Sequence, residues 1–122
     1  MLLKSVLENI EYRLISGDLN KEITSVEYDS RKVNGGSLFV CVKGFTVDGH
    51  SFAVKAAEQG AGAIVIDSTR DGYSEEELID QTRGYDPAII EIRDTHKHLS
   101  DLCANFYDHP ENKLAVYGIC HL

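Results

Sequence analysis

Positive charge is scarce in this 122-residue chain: 12 Lys and Arg stand against 20 Asp and Glu, for a net charge of −8. That balance argues against general binding to nucleic acid or to an anionic membrane, both of which need a basic face to neutralise phosphates. Cysteine is sparse too. Cys41, Cys103 and Cys120 are odd in number and widely spaced, with no C-x-x-C pair, so neither a disulfide framework nor a zinc knuckle is indicated. Cys41 and Cys103 lie among apolar residues and read as small packing hydrophobes. No apolar run approaches membrane-spanning length, and charge at Lys4 and Glu8 interrupts the N-terminus too early for a secretory signal. A reducing cytoplasm fits these features. Also missing are a G-x-x-x-x-G-K-[ST] phosphate loop, a G-x-G-x-x-G turn after a strand, and any paired-carboxylate motif. By itself the chain shows no reaction centre.

What is present suits one soluble domain. The hydrophobic share of 43% and charged share of 26% are ordinary, and a chain of this length buries enough surface for a core without staples. Leu3, Val6, Leu7 and Ile10 follow helical spacing, which predicts an amphipathic helix ended by Ser16-Gly17-Asp18. Ile23 to Tyr28 alternates as a half-buried strand, whereas Leu38 to Val42 is a continuous apolar run that suits a strand buried on both faces. Phe52, Ala53, Ala56 and Ala57 form the stripe of a second helix with Gly60 as its C-cap. Ala63 to Asp67 follows as a strand, completing a βαβ crossover. Ser74-x-x-Glu77 is a capping box before a short acidic helix. Ala88 to Ile92 reads as another strand, and Asp94 or Thr95 caps a helix whose Leu99, Leu102, Cys103 and Phe106 share one face. Leu114 to Ile119 reads as a last strand that stops without a following helix, as if truncated. The class expected is α/β: a single three-layer domain with a mostly parallel or mixed sheet flanked by helices.

Most of the chemistry gathers between Tyr28 and His50. From Asp29 to Asp48 three cations (Arg31, Lys32, Lys43) face two acids, a weakly positive island where a phosphate-bearing ligand is least repelled. Two loops flank the ends of the Leu38–Val42 strand, where backbone N–H groups and small side chains are free for a ligand. Asp29 is expected to cap its turn through an Asx-type bond, with Ser30 offering its hydroxyl outward and Arg31 pairing with an acid or a phosphate. A hydrolase built on Asp29, Ser30 and His50 is disfavoured, because no G-x-S-x-G elbow surrounds Ser30. His96 and His98, with the more distant His109, are a poor metal set, since an i, i+2 pair at a helix start points to different sides.

These residues resemble the N-terminal domain of the Mur ligases, ATP-dependent enzymes that add amino acids to UDP-N-acetylmuramoyl peptides in cell-wall synthesis. The resemblance is carried by Asp29-Ser30-Arg31-x-Val33-x-x-Gly36-x-Leu38-Phe39-Val40, by Gly44-x-x-x-Asp48-Gly49-His50-x-Phe52, and by Ala56-x-x-x-Gly60-Ala61. Phe106-Tyr107-x-His109-Pro110 and Leu114-x-Val116-Tyr117-Gly118-Ile119 resemble the run before the ATP loop of the member that adds the third residue, the tripeptide synthetase. Residues 1–119 would then be the UDP-binding domain, and Cys120-His121-Leu122 a departure where the family's Thr-Gly-Thr-Asn-Gly-Lys-Thr loop would begin.

The resemblance implies that Tyr28, Ser30, Phe45, Thr46 and Val47 contact the UDP end of UDP-N-acetylmuramoyl-L-Ala-D-Glu. It places no catalytic residue and no metal ligand in this chain. ATP and magnesium belong to the full-length enzyme, so the chain is expected to be inactive alone. Phe39 and Phe52 read as core, and Asp48-Gly49 as loop-shaping. An alternative is a non-enzymatic nucleotide-sugar or protein-interaction module, self-associating through the edge of Leu114 to Ile119.

Overall fold

A computed structural model describes residues 1–42, 49–69 and 74–107, the side chains of 49–51 excepted. The elements are α1 (Leu3–Val6), β1 (Arg13–Ser16), β2 (Ser25–Glu27), a 3-10 turn (Ser30–Lys32), β3 (Ser37–Val40), α2 (Gly49–Glu58), β4 (Ala63–Asp67), α3 (Glu75–Thr82), β5 (Ala88–Ile92) and α4 (Thr95–Tyr107). The five strands form one sheet in the order β1-β5-β4-β3-β2. Strands β2 to β5 run parallel, and β1 pairs antiparallel with β5. The expected α/β class with a mixed, mostly parallel sheet is therefore observed.

The three layers follow from strand alternation. Leu38, Val40, Ala63, Val65, Ala88 and Ile90 point to one face, where α1 and α4 cover them with Leu3, Val6, Leu99, Leu102 and Phe106. Phe39, Ile64, Ile66 and Ile89 point to the other, under Ala53, Ala56 and Ala57 of α2 and Leu78 of α3. Alanine suits that helix because a short side chain lets its backbone approach the sheet. Gly60 follows α2 with φ +100°, and Ser74 caps α3 by accepting from the Glu77 N–H at 3.2 Å, both as the sequence implied. Asp94 caps α4, accepting from the Lys97 N–H at 3.1 Å.

Two expectations are corrected. The first helix is a single turn rather than a run to Ser16: Asn9 takes φ 65°, and Arg13–Ser16 is a strand. Long-range bonds decide this. The Leu3 and Lys4 N–H groups donate to Lys21 O (2.8 Å) and Leu19 O (3.0 Å), and β1 gains a partner in β5, with Leu14 opposite Ile90. Cys41 is a buried free thiol, pushed up to about 12 by burial and so protonated at neutral pH. Cys103 is equally buried and packs in the core with Leu99 and Leu102 as expected, but it is disulfide-bonded, which corrects the expectation of no disulfide. The predicted last strand, Leu114 to Ile119, and with it the proposed self-association edge, lie outside the described residues. No helix among the described residues is long and apolar enough to cross a membrane.

Candidate functional site

At the carboxyl end of β2 the chain turns sharply. Asp29 is the N-cap of the 3-10 turn and accepts from the Arg31 N–H at 3.0 Å, the Asx-type bond anticipated from sequence. The same carboxylate takes Arg31 Nε at 3.1 Å and Nη2 at 2.8 Å. The Arg31 side-chain bonds, and then its backbone bond, hold the Asp29 carboxyl down at about 2. Arg31 is thus paired with an acid inside its own turn.

Ser30 is not turned outward as expected; it is only 4% exposed. Its carbonyl accepts from Gln59 Nε2 at 2.7 Å, and the same amide donates to Val33 O at 3.1 Å. One side chain at the end of α2 therefore clamps both ends of the turn. The Ser30 hydroxyl makes no hydrogen bond among the described residues, and a buried hydroxyl without a partner carries a free-energy cost that a ligand can relieve.

A cavity of about 520 Å³ opens beside this turn, lined by Tyr28, Asp29, Ser30, Arg31, Phe39, Phe52 and Lys55. Of the anticipated contact residues, Tyr28 and Ser30 come together here. Phe45, Thr46 and Val47 lie outside the described residues, as does the Asp48-Gly49 loop start at Asp48. Phe52 is corrected: it is 36% exposed and lines the cavity rather than filling the core. Phe39 is buried as expected. Sequence reading passed over Lys55 and Gln59. The signal was available, since Phe52, Lys55 and Gln59 fall at i, i+3 and i+7 and share a helix stripe beside the alanines.

A second polar group closes the neighbouring strand ends. Asp67, the last residue of β4, accepts from Thr69 N–H (2.8 Å) and Oγ1 (2.6 Å) and from Thr95 N–H (2.9 Å) and Oγ1 (3.2 Å). Burial pushes its pKa up, but these bonds outweigh burial and the net shift is down. Thr95 Oγ1 also lies 2.9 Å from the Cys41 carbonyl, to which it can donate, so β3, β4 and the start of α4 are tied at one point. This is a structural knot rather than a ligand site.

Among the described residues the remaining candidates do not assemble. Both Asp29 oxygens are engaged by Arg31, and the His50 side chain lies outside the described residues. His98 Nδ1 sits 3.1 Å from Asp101 Oδ2 on the same helix, and among the described residues no group of three His, Cys, Asp or Glu side chains could hold a metal ion. His109 is outside the described residues.

Residues 22–107 match the model of the Mur ligase family, catalytic domain. The chain belongs to the Mur ligase family. Curated Mur ligase relatives include the UDP-N-acetylmuramoyl-L-alanyl-D-glutamate--2,6-diaminopimelate ligase of Clostridium perfringens, 38% identical over 98% of this chain and 22% of the relative. An enzyme of the same name in Clostridium acetobutylicum is 41% identical over 98% of this chain and 22% of its own length. That of Bacillus cereus is 45% identical over 82% of this chain and 18% of the relative. The chain thus spans about a fifth of the length of the curated Mur ligases it matches. A crystal structure of MurF from Acinetobacter baumannii shares the fold, with TM-score 0.62 and 18% identity over 88% of this chain and 21% of that one. These likenesses bear out the resemblance to a Mur ligase N-terminal domain of the third-residue-adding type. The family description names a catalytic domain, and the sequence contains no G-x-x-x-x-G-K-[ST] loop.

Proposed function

We propose that this chain binds the UDP end of UDP-N-acetylmuramoyl-L-alanyl-D-glutamate, as the substrate-holding domain of an ATP-dependent ligase that adds the third residue of the peptide. The single observation that carries the reading is the Ser30 hydroxyl: buried, without a hydrogen-bond partner among the described residues, and lining a cavity that Tyr28, Phe39 and Phe52 make aromatic. A flat base has faces to lie against there, and a ribose or uracil oxygen satisfies the hydroxyl. Phe45, Thr46 and Val47, which follow β3 in sequence, complete the proposed contact set.

The chain's part in the reaction is positional. Holding the remote nucleotide fixes where the D-glutamate carboxylate sits, so part of the entropy of bringing reactants together is met at this distant site. ATP and magnesium would be held by residues other than these, and the chain alone is expected to turn nothing over. The names of the relatives, which specify a UDP-linked dipeptide, support this substrate.

Amide NMR titration tests it. Addition of the UDP-N-acetylmuramoyl dipeptide and of UDP should shift the same resonances, centred on Tyr28, Ser30 and Phe45 to Val47, while GDP should not. Shifts equal for GDP, or none at millimolar UDP, would overturn the proposal.

A further inference from the structure

We infer that Lys55, and not Arg31, is the cation that receives the diphosphate of a nucleoside diphosphate in this cavity. The inference rests on the UDP-binding reading above and assigns a residue that the family motifs leave out. Among the described residues the cavity is lined by two cations, Arg31 and Lys55. Sequence motif points to Arg31; geometry points away from it.

The Arg31 guanidinium is already committed, with Nε and Nη2 each on a different oxygen of Asp29. The pair is exposed, the Arg31 side chain being 82% open to solvent, but it already sets a carboxylate against that charge. Drawing it onto a phosphate would leave the Asp29 carboxylate, itself on the cavity wall, facing the incoming anion. The Lys55 ammonium has no such partner: it makes no ion pair or hydrogen bond among the described residues. It is exposed on α2, one turn beyond Phe52. Its helix is fixed by Ala53, Ala56 and Ala57 in the core below and by the Gln59 clamp on the Ser30 turn. The base of the Lys55 side chain is therefore held while its ammonium end swings, which suits a point charge meeting phosphate oxygens. Phe52 and Lys55 on one helix stripe then offer a ring for the base side and a cation for the phosphate side.

Calorimetric titration of the chain with UDP and with uridine tests the assignment, using wild type, Lys55→Gln, Lys55→Arg and Arg31→Gln. Arg31→Gln keeps the backbone N–H that Asp29 caps, and Lys55 is exposed, so all variants should fold, checked by unchanged melting. Lys55→Gln should weaken UDP about tenfold with uridine unaffected, Lys55→Arg should recover most of that, and Arg31→Gln should stay within about twofold of wild type. Undiminished UDP affinity in Lys55→Gln, or the larger loss falling on Arg31→Gln, would overturn the assignment while leaving the UDP site standing. Equal wild-type affinity for UDP and uridine would do the same. A wild type that binds neither ligand would overturn the UDP reading and this inference together.

Discussion

The two ends of the sheet are built from different materials. At the amino end of the parallel strands, backbone meets backbone: the Gly36 N–H donates to Gly60 O at 2.9 Å, Gly62 N–H to Ser37 O at 2.8 Å, and Ala88 N–H to Gly62 O at 3.1 Å. A Cβ at Gly36 would lie 2.9 Å from Thr24 Cγ2, and one at Gly17 only 2.5 Å from Ala88 Cα. At the carboxyl end, side chains do the joining: Asp29, Asp67 and Thr95 hold the turns, and one hydroxyl and one ammonium are left without partners among the described residues. The closed end stores stability, and the open end holds unspent hydrogen-bonding capacity that a ligand can use. Placing a ligand at strand carboxyl ends agrees with the general behaviour of open α/β sheets.

The largest break in that contrast should come from Gly17→Ala. Its φ of +92° and the clash with Ala88 backbone cost a left-handed conformation plus an overpacked contact, about 4 kcal/mol together. Urea denaturation should show the loss, while nucleotide affinity per folded molecule stays unchanged.

Next is Asp67→Ala, which strips the buried Thr95 of two hydrogen bonds and α4 of a carboxylate at its N-terminus. About 3 kcal/mol is expected. The pH dependence has a fixed sign. Asp67 and Asp29 are both depressed in the fold, Asp29 from 3.8 to about 2, so the folded chain releases these protons more readily than the unfolded one. Their stabilisation is complete well above pH 3.8 and is lost as pH falls through the folded values. Asp67→Asn should flatten the acid limb of stability against pH; an unchanged limb would contradict the assigned bonds.

Tyr107→Phe is smaller. The Tyr107 hydroxyl accepts from the Val26 N–H at 3.1 Å and donates to Val26 O at 3.4 Å, covering the outer side of edge strand β2. Its removal should cost about 1 kcal/mol by thermal melting and leave the cavity's affinity intact.

Much of this was legible in sequence, and the failures have a common cause. Leu38 to Val42, Ala63 to Asp67 and Ala88 to Ile92 announce themselves as apolar runs, and the Ser74 cap and the α4 face are set by neighbours within four residues. Strand β1 was invisible because Arg13-Leu14-Ile15-Ser16 has no alternation and exists through β5, more than seventy residues away; Arg13 reaches Glu91 at 3.1 Å and Glu75 at 2.6 Å. Ser30 was placed in the correct turn but facing the wrong way, since its burial depends on Gln59 arriving from α2. Phe52 was assigned to the core for the same kind of reason: hydrophobicity predicts contact, and only the geometry of α2 against the turn says that its contact is a cavity wall.

The measurement that bears most directly on this division is UDP affinity of Ser30→Ala set beside its stability. Among the described residues the hydroxyl has no bond to lose and its burial carries a cost, so stability should hold or rise by about 1 kcal/mol, while UDP binding should weaken about tenfold for want of the hydrogen bond. An unchanged UDP affinity, with the fold intact, would contradict the claim that the open end of the sheet is the nucleotide site.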